Sequence, residues 1–290
     1  KECQLIVFVG AVGIAVRTIA PYIKNKLVDP AVLSVDEGGN FVIPLLSGHI
    51  GGANGFAKVL SKVIKATPVV TTATDVNKLF AVDEWAARNN MIINSMKAAK
   101  DFAAALVDGQ EVGLFTDYPI ISALPRQIVL KDKGVTGLAI TKNRNVNPFD
   151  LTVQLWPRNI YLGIGCRRGT TLESIETLVL PKLKELGIDL RTIVGVASVD
   201  LKKDEAGLLN FAAKYNWEIS FFTAEELQNA AGEFSSSDFV KSVVGVSNVC
   251  ERSAVLAANN GSIISSKCSL NGVTLAVAEA DIVLDFEKLS

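Results

Sequence analysis

Histidine is nearly missing from this sequence: 290 residues contain one, His49. The four cysteines, Cys3, Cys166, Cys250 and Cys268, form no Cys-x-x-Cys pair, and a single imidazole cannot complete a usual zinc set with them. That argues against a structural metal centre and for reduced, buried thiols. An excess of either charge is missing too. Lys plus Arg number 29 against 30 Asp plus Glu, so no global field draws nucleic acid or an acidic membrane, and an anionic ligand must meet a local basic patch. No apolar run approaches the roughly 20 residues that span a bilayer, because Leu5 to Val16 is 12 residues long and ends at Arg17. The opening Lys1-Glu2-Cys3-Gln4 lacks the sections of a signal peptide, and a cytoplasmic enzyme is the expectation.

What is present reads as an α/β protein. A chain of 290 residues is too long for one ordinary core and implies two or three domains. Leu5–Val9 is an apolar strand that meets Gly10 and Gly13 before a loosely helical stretch. Ala31–Val35, the turn residues Asp36 to Asn40, and Phe41–Leu46 fit a hairpin. From Ala53 the apolar stripe Phe56, Val59, Leu60, Val63 and Ile64 predicts a helix with that face inward. Strand and helix alternate as in a parallel layer. The expected division is an N-terminal α/β domain over 1–90, a small middle segment over 91–157 and a C-terminal α/β domain over 158–290. In the middle segment a helix near Ser95 to Val107 and strands at 112–116, 127–130 and 138–141 are expected, with a turn-rich run at 143–148.

The candidate chemistry gathers around glycine turns. His49 sits in Leu-Ser-Gly-His-Ile-Gly-Gly-Ala-Asn-Gly, where an imidazole titrating near neutrality could transfer protons. A loop residue bonded to the backbone is the competing reading. Backbone amides near Gly48, Gly51, Gly52 and Asn54 could stabilise an oxyanion. Ser47 is a conceivable nucleophile, but chain neighbours rarely point at one another productively, and no Gly-x-Ser-x-Gly elbow is present. Water activated by His49 ranks above it. Gly10 and Gly13 open a helix as an anion-binding turn would, with Arg17 adding charge there. The spacing is not Gly-x-Gly-x-x-Gly and Asp36 is a weak ribose partner, which argues against a nicotinamide-dependent enzyme. Asp36 with Glu37, and Thr71, Thr72 and Asp75, follow strands, where α/β sheets present ligands. Cys166-Arg167-Arg168 is a compact basic turn suited to a carboxylate, or a surface turn paired with local acids.

These residues carry a resemblance. Residues 10–21 (Gly-Ala-Val-Gly-Ile-Ala-Val-Arg-x-Ile-Ala-Pro), 29–32 (Asp-Pro-Ala-Val), 45–54 and 71–75 (Thr-Thr-Ala-Thr-Asp) closely resemble the cobalt-precorrin 5A hydrolase family of anaerobic cobalamin biosynthesis. The likeness continues in 82–86 (Val-Asp-x-Trp-Ala), 163–170, 197–205 and 245–254, and is weak only between Met91 and Trp156. Family members carry some tens of residues before the first motif, so the resemblance implies an N-terminal sheet lacking its first segment.

The resemblance implies a hydrolase that opens the δ-lactone of cobalt-precorrin 5A, a cobalt tetrapyrrole bearing many carboxylates, and releases acetaldehyde to give cobalt-precorrin 5B. It implies no cofactor of the protein's own, since cobalt arrives in the substrate, although His49 could approach the metal axially. Expected partners are that tetrapyrrole and other enzymes of the pathway, with neither nucleic acid nor membrane. His49, Asp36, Glu37 and Asp75 are then the catalytic candidates. Gly10, Gly13, Arg17, Ser47, Gly48, Gly51, Gly52, Asn54, Thr71 and Thr72 are candidates for substrate binding, and Cys166, Arg167 and Arg168 for gripping substrate from the C-terminal domain. A noncatalytic tetrapyrrole carrier is the alternative.

Overall fold

A computed structural model of the chain describes residues 3–25, 28–49, 51–77, 79–141, 145–232, 234 and 248–287, with the backbone alone at Ala73 and Thr74. Asn143 and Arg144 of the expected turn, and residues 245–247 of the last motif, lie outside the described residues. The chain forms two compact units: Lys1–Trp156 with Leu284–Ser290, and Pro157–Val283.

In unit 1 the first sheet has the order β1 (Leu5–Val9), β2 (Ala31–Val35), β3 (Phe41–Leu46) and β4 (Thr67–Pro68). β1 and β2 are parallel, but the hairpin at 36–40 turns β3 antiparallel, and β4 runs with β3. The antiparallel pair is the expected hairpin, and its physical cause is the short connection, which can only reverse the strand. The consequence is positional. Gly10 and Asp36 lie where β1 and β2 end, whereas Ser47 and His49 lie where β3 ends, at the opposite edge of the layer. At about 3.3 Å per residue, the six residues of β3 separate the two groups by roughly 20 Å.

Helix α1 (Val12–Ile19) buries Ala15 alone, and α2 (Ala53–Ile64) buries Ala53, Asn54, Ala57 and Ser61. The helix at α2 was legible, but its face was not: Val59 and Val63 are exposed, and the small residues turn inward. Small side chains let the helix axis approach the sheet, and that contact outweighs the larger apolar stripe. Downstream come α3 (Ala73–Val76) and α4 (Val82–Arg88), which leads to the second sheet. That sheet has the order β5 (Met91–Ile93), β9 (Phe149–Pro157), β8 (Gly134–Ile140), β6 (Val112–Thr116), β7 (Ile128–Leu130), beside α5 (Met96–Val107). Ser95 caps α5 by accepting from the Ala98 amide. The nine-residue β9 was not anticipated.

The segment after Val283 returns to unit 1. Leu284 bridges Ile120, Trp85 Nε1 donates to the Asp285 carbonyl, and the Phe286 amide donates to Ser122 Oγ. Phe286 stacks on Trp85 with centroids 4.7 Å apart, and Phe80 is tilted against both rings.

Unit 2 is a five-stranded sheet of order β12 (Glu218–Phe222), β11 (Ile193–Val199), β10 (Ile160–Cys166), β14 (Val273–Glu279), β13 (Ser262–Leu270). β10 to β12 are parallel, and β14 is antiparallel to both its neighbours. Helices α6 (Leu172–Glu185), α7 (Ala206–Tyr215), α8 (Ala224–Gln228) and α9 (Val249–Ala257) complete it. A large apolar core joins Leu162, Ile175, Val179, Phe211 and Leu275. α9 lies so close to β10 that a Cβ on Gly163 would stand 1.8 Å from the Cys250 carbonyl oxygen.

Candidate active site

The loop after β3 folds on itself to present His49. Amides of Gly52, Ala53 and Asn54 donate to the carbonyls of His49, Ser47 and Gly48. Ser47 adopts φ 57° and donates its hydroxyl to the Asp29 carbonyl. The glycines have steric reasons. A Cβ on Gly48 would meet Asn54 Oδ1 at 2.9 Å, one on Gly51 would meet Ser47 Cβ at 2.4 Å, and Gly52 takes φ 81° as the residue before α2. The expected use of loop amides as an oxyanion cradle is therefore corrected at Gly52 and Asn54, whose N–H groups are spent inside the loop. Ser47 likewise pins the loop.

His49 lies between two carboxylates, with Nε2 3.3 Å from Asp75 Oδ2 and Nδ1 3.3 Å from Asp83 Oδ1. Asp75 also accepts from Thr72 Oγ1 at 2.7 Å, Asn54 Nδ2 at 2.9 Å and Lys58 Nζ at 2.7 Å. Asn54 reaches Thr72 Oγ1 as well, at 3.1 Å. Burial pushes the Asp75 carboxyl up, but the Lys58 and Thr72 bonds, the Lys58 charge and the Asn54 amide prevail and hold it at about 2. Asp75 is ionised at neutral pH and holds no proton of its own there, which narrows its expected role to accepting from His49 and its other donors. The hydrogen bond to Asp83 raises the His49 pKa above its ordinary value; burial opposes this, and the Asp83 charge, the Asp75 bond and the Glu84 charge add to it. With both ring nitrogens facing carboxylates, the protonated imidazole is the favoured form.

Asp83 and Glu84 occupy the first turn of α4, where the helix dipole favours negative charge. Asp83 Oδ1 takes the Glu84 amide at 3.0 Å, and Glu84 pairs with Arg88 one turn on. Asp75 and Glu84 form part of the wall of a cavity of about 600 Å³ within unit 1. Its α2 wall is Gly55, Lys58, Val59 and Lys62, the i, i+3, i+4, i+7 face of the helix. Donor atoms of His49, Asp75 and Glu84 lie within 4.8 Å of one another, close enough to share an ion, a grouping the sequence spacing concealed.

The remaining candidates fall elsewhere. Asp36 closes the hairpin: its pKa is lowered by the Phe41 amide, and its carboxylate also accepts from Asn40. Glu37 is in the same exposed turn. Both are corrected as catalytic partners of His49, since they sit at the other edge of the sheet. Gly10, with φ 135°, donates its amide to the Val35 carbonyl there, and Gly13 lies within α1. Arg17 is in the last turn of α1, where it suits the helix dipole, and not at the glycine turn as expected. Thr71 adjoins Thr72 before α3. In unit 2, Arg168 stands 3.6 Å from Asp204 with both side chains exposed, and the Arg167 stem crowds Gly272. Burial pushes the Cys166 thiol up. Lys58, Asp83, Glu84 and Arg88 were missed, although 82–86 belonged to a recognised motif. What pointed to them was the acidic first turn beside a loop histidine, a relation only the fold reveals.

Residues 1–75 match the family described as Cobalamin synthesis G N-terminal, 80–157 match Cobalamin biosynthesis central region, and 160–278 match Cobalamin synthesis G C-terminus. The chain is 35% identical over 288 residues to the cobalt-precorrin-5A hydrolase of Salmonella typhimurium, covering 95% of this chain and 82% of that protein. It is 31% identical to the enzyme of that name from Priestia megaterium, covering 94% and 78%. A solved cobalamin biosynthesis protein G homologue from Sulfolobus solfataricus aligns with a TM-score of 0.39 at 26% identity, over 96% of this chain and 83% of that one.

Proposed function

The chain belongs to the cobalt-precorrin-5A hydrolase family, and from that membership we propose that it opens the δ-lactone of cobalt-precorrin 5A at the cavity beside His49. The carrying observation is the charged chain Asp83–His49–Asp75–Lys58 meeting a cavity wall that also holds Glu84 and Arg88. Water adds to the lactone acyl carbon and the acyl–oxygen bond breaks. The freed oxygen takes a proton, giving a carboxylate and a hydroxyethyl group. That hydroxyl then loses its proton as the carbon–carbon bond breaks, acetaldehyde leaves, and the electron pair stays on the macrocycle.

Each role follows from a different local chemistry. Asp75 is saturated with donors, so Glu84 is the carboxylate that accepts the proton of water. His49 is the proton source behind Asp75 and holds a positive charge where the alkoxide forms. Cobalt is part of the substrate in this reading, and the acids near His49 are balanced by Lys58 and Arg88. A cytoplasmic location and exchange of the tetrapyrrole with neighbouring pathway enzymes belong to the same proposal. No helix among the described residues is long and apolar enough to cross a membrane.

The test is an anaerobic incubation with cobalt-precorrin 5A followed by an acetaldehyde assay. Stoichiometric acetaldehyde is expected, and binding without release would favour the carrier.

A further inference from the structure

The four cations that line the cavity among the described residues are not equivalent. Lys58 is committed to Asp75 and Arg88 to Glu84, whereas Lys62 and Arg126 have no ion pair among the described residues and are both exposed. They come from different parts of unit 1, Lys62 from α2 and Arg126 from the loop between β6 and β7. That loop is anchored, because Gln127 at φ 70° donates its side-chain amide to the carbonyls of Leu106 and Gln110, each at 3.2 Å. Trp85 and Phe286, stacked nearly parallel at 8°, add aromatic surface to the same wall. Glu287 also borders the cavity, and its charge would repel an anion approaching from that side.

Two uncommitted cations on separate elements, on a cavity that the partly buried Phe286 also lines, fit a ligand carrying carboxylates at its periphery. We infer that Lys62 and Arg126 are specificity residues that bind two peripheral carboxylates of the tetrapyrrole and orient its lactone toward Glu84. The inference rests on the proposed reaction for the identity of the ligand. Through Arg126 it also assigns a substrate contact to the central region of the chain. Neither residue takes part in bond breaking, so their loss affects binding and leaves the chemical step intact.

The experiment compares Lys62→Gln, Arg126→Gln and the double variant with the unaltered chain, using cobalt-precorrin 5A for kinetics and uroporphyrin III as an unreactive polycarboxylate probe read by tryptophan quenching. Each single variant is expected to raise KM and the uroporphyrin Kd about 10-fold to 100-fold while kcat stays within about twofold, and Lys62→Arg and Arg126→Lys recover part of the loss. Unchanged KM and Kd in variants that still release acetaldehyde would overturn the clamp and leave the reaction standing. Conversely, uroporphyrin binding that depends on both residues in a protein releasing no acetaldehyde would sink the reaction and keep the clamp.

Discussion

The His49 loop of unit 1 and the Cys166–Thr170 turn of unit 2 share one sequence grammar: an apolar strand, a polar residue among glycines, then a helix. In the first, Asp75 and Asp83 hold one imidazole, and Asn54, Lys58 and Thr72 in turn bond to Asp75. In the second, the Gly169 amide donates to the buried Glu205 at 2.8 Å, Thr170 Oγ1 donates to the Arg167 carbonyl, and the Arg168 charge points to solvent. Glycine in both places provides a tight turn. What distinguishes the first is an imidazole held between two carboxylates.

The comparison is tested hardest by His49→Ala. Acetaldehyde release should fall about 100-fold to 10,000-fold, the range for losing a general acid or base. In the proposed reaction the protonated ring is the active form, so the unaltered rate should decline as pH rises through the raised His49 pKa, and Asp83→Asn should move that decline to lower pH. A pH–rate series on both proteins reads this, and an unmoved limb would break the link to Asp83. Next in size is acid stability. Asp75, ordinarily at 3.8 and held at about 2, contributes up to about 2 kcal/mol, present above its unfolded value and lost as pH falls toward its folded one. Asp75→Asn should flatten denaturant-unfolding stability across that window, and an unchanged slope would deny the carboxylate its anchoring role. The smallest effect belongs to Arg168→Ala, whose exposed pair is worth about 0–1 kcal/mol. A KM change beyond about fivefold there would transfer substrate binding to unit 2.

Much of the architecture was legible in the sequence because local and tertiary preferences agree. The helix near Ser95 to Val107 and the β2–β3 hairpin follow from local pattern and turn composition. Reading failed where tertiary contact decides. Which face of α2 turns inward depends on how closely Ala53 and Ala57 seat on the sheet, information absent from hydrophobic periodicity. Asp36 and His49 looked like neighbours because both follow strands, yet the hairpin itself puts them at opposite ends of β3. Asp83 and Glu84 were quoted as a motif without being seen as a site, since the loop they face lies more than thirty residues upstream.

The return of Leu284–Phe286 to unit 1 also has a consequence for biosynthesis. The cavity wall needs Phe286, and Trp85 needs the Asp285 carbonyl, yet the ribosome makes all of unit 2 in between. While the chain emerges, the first unit must wait with an aromatic face uncovered, a state in which a nascent protein is prone to association. Unit 1 is thus completed only after the whole of unit 2 has been made.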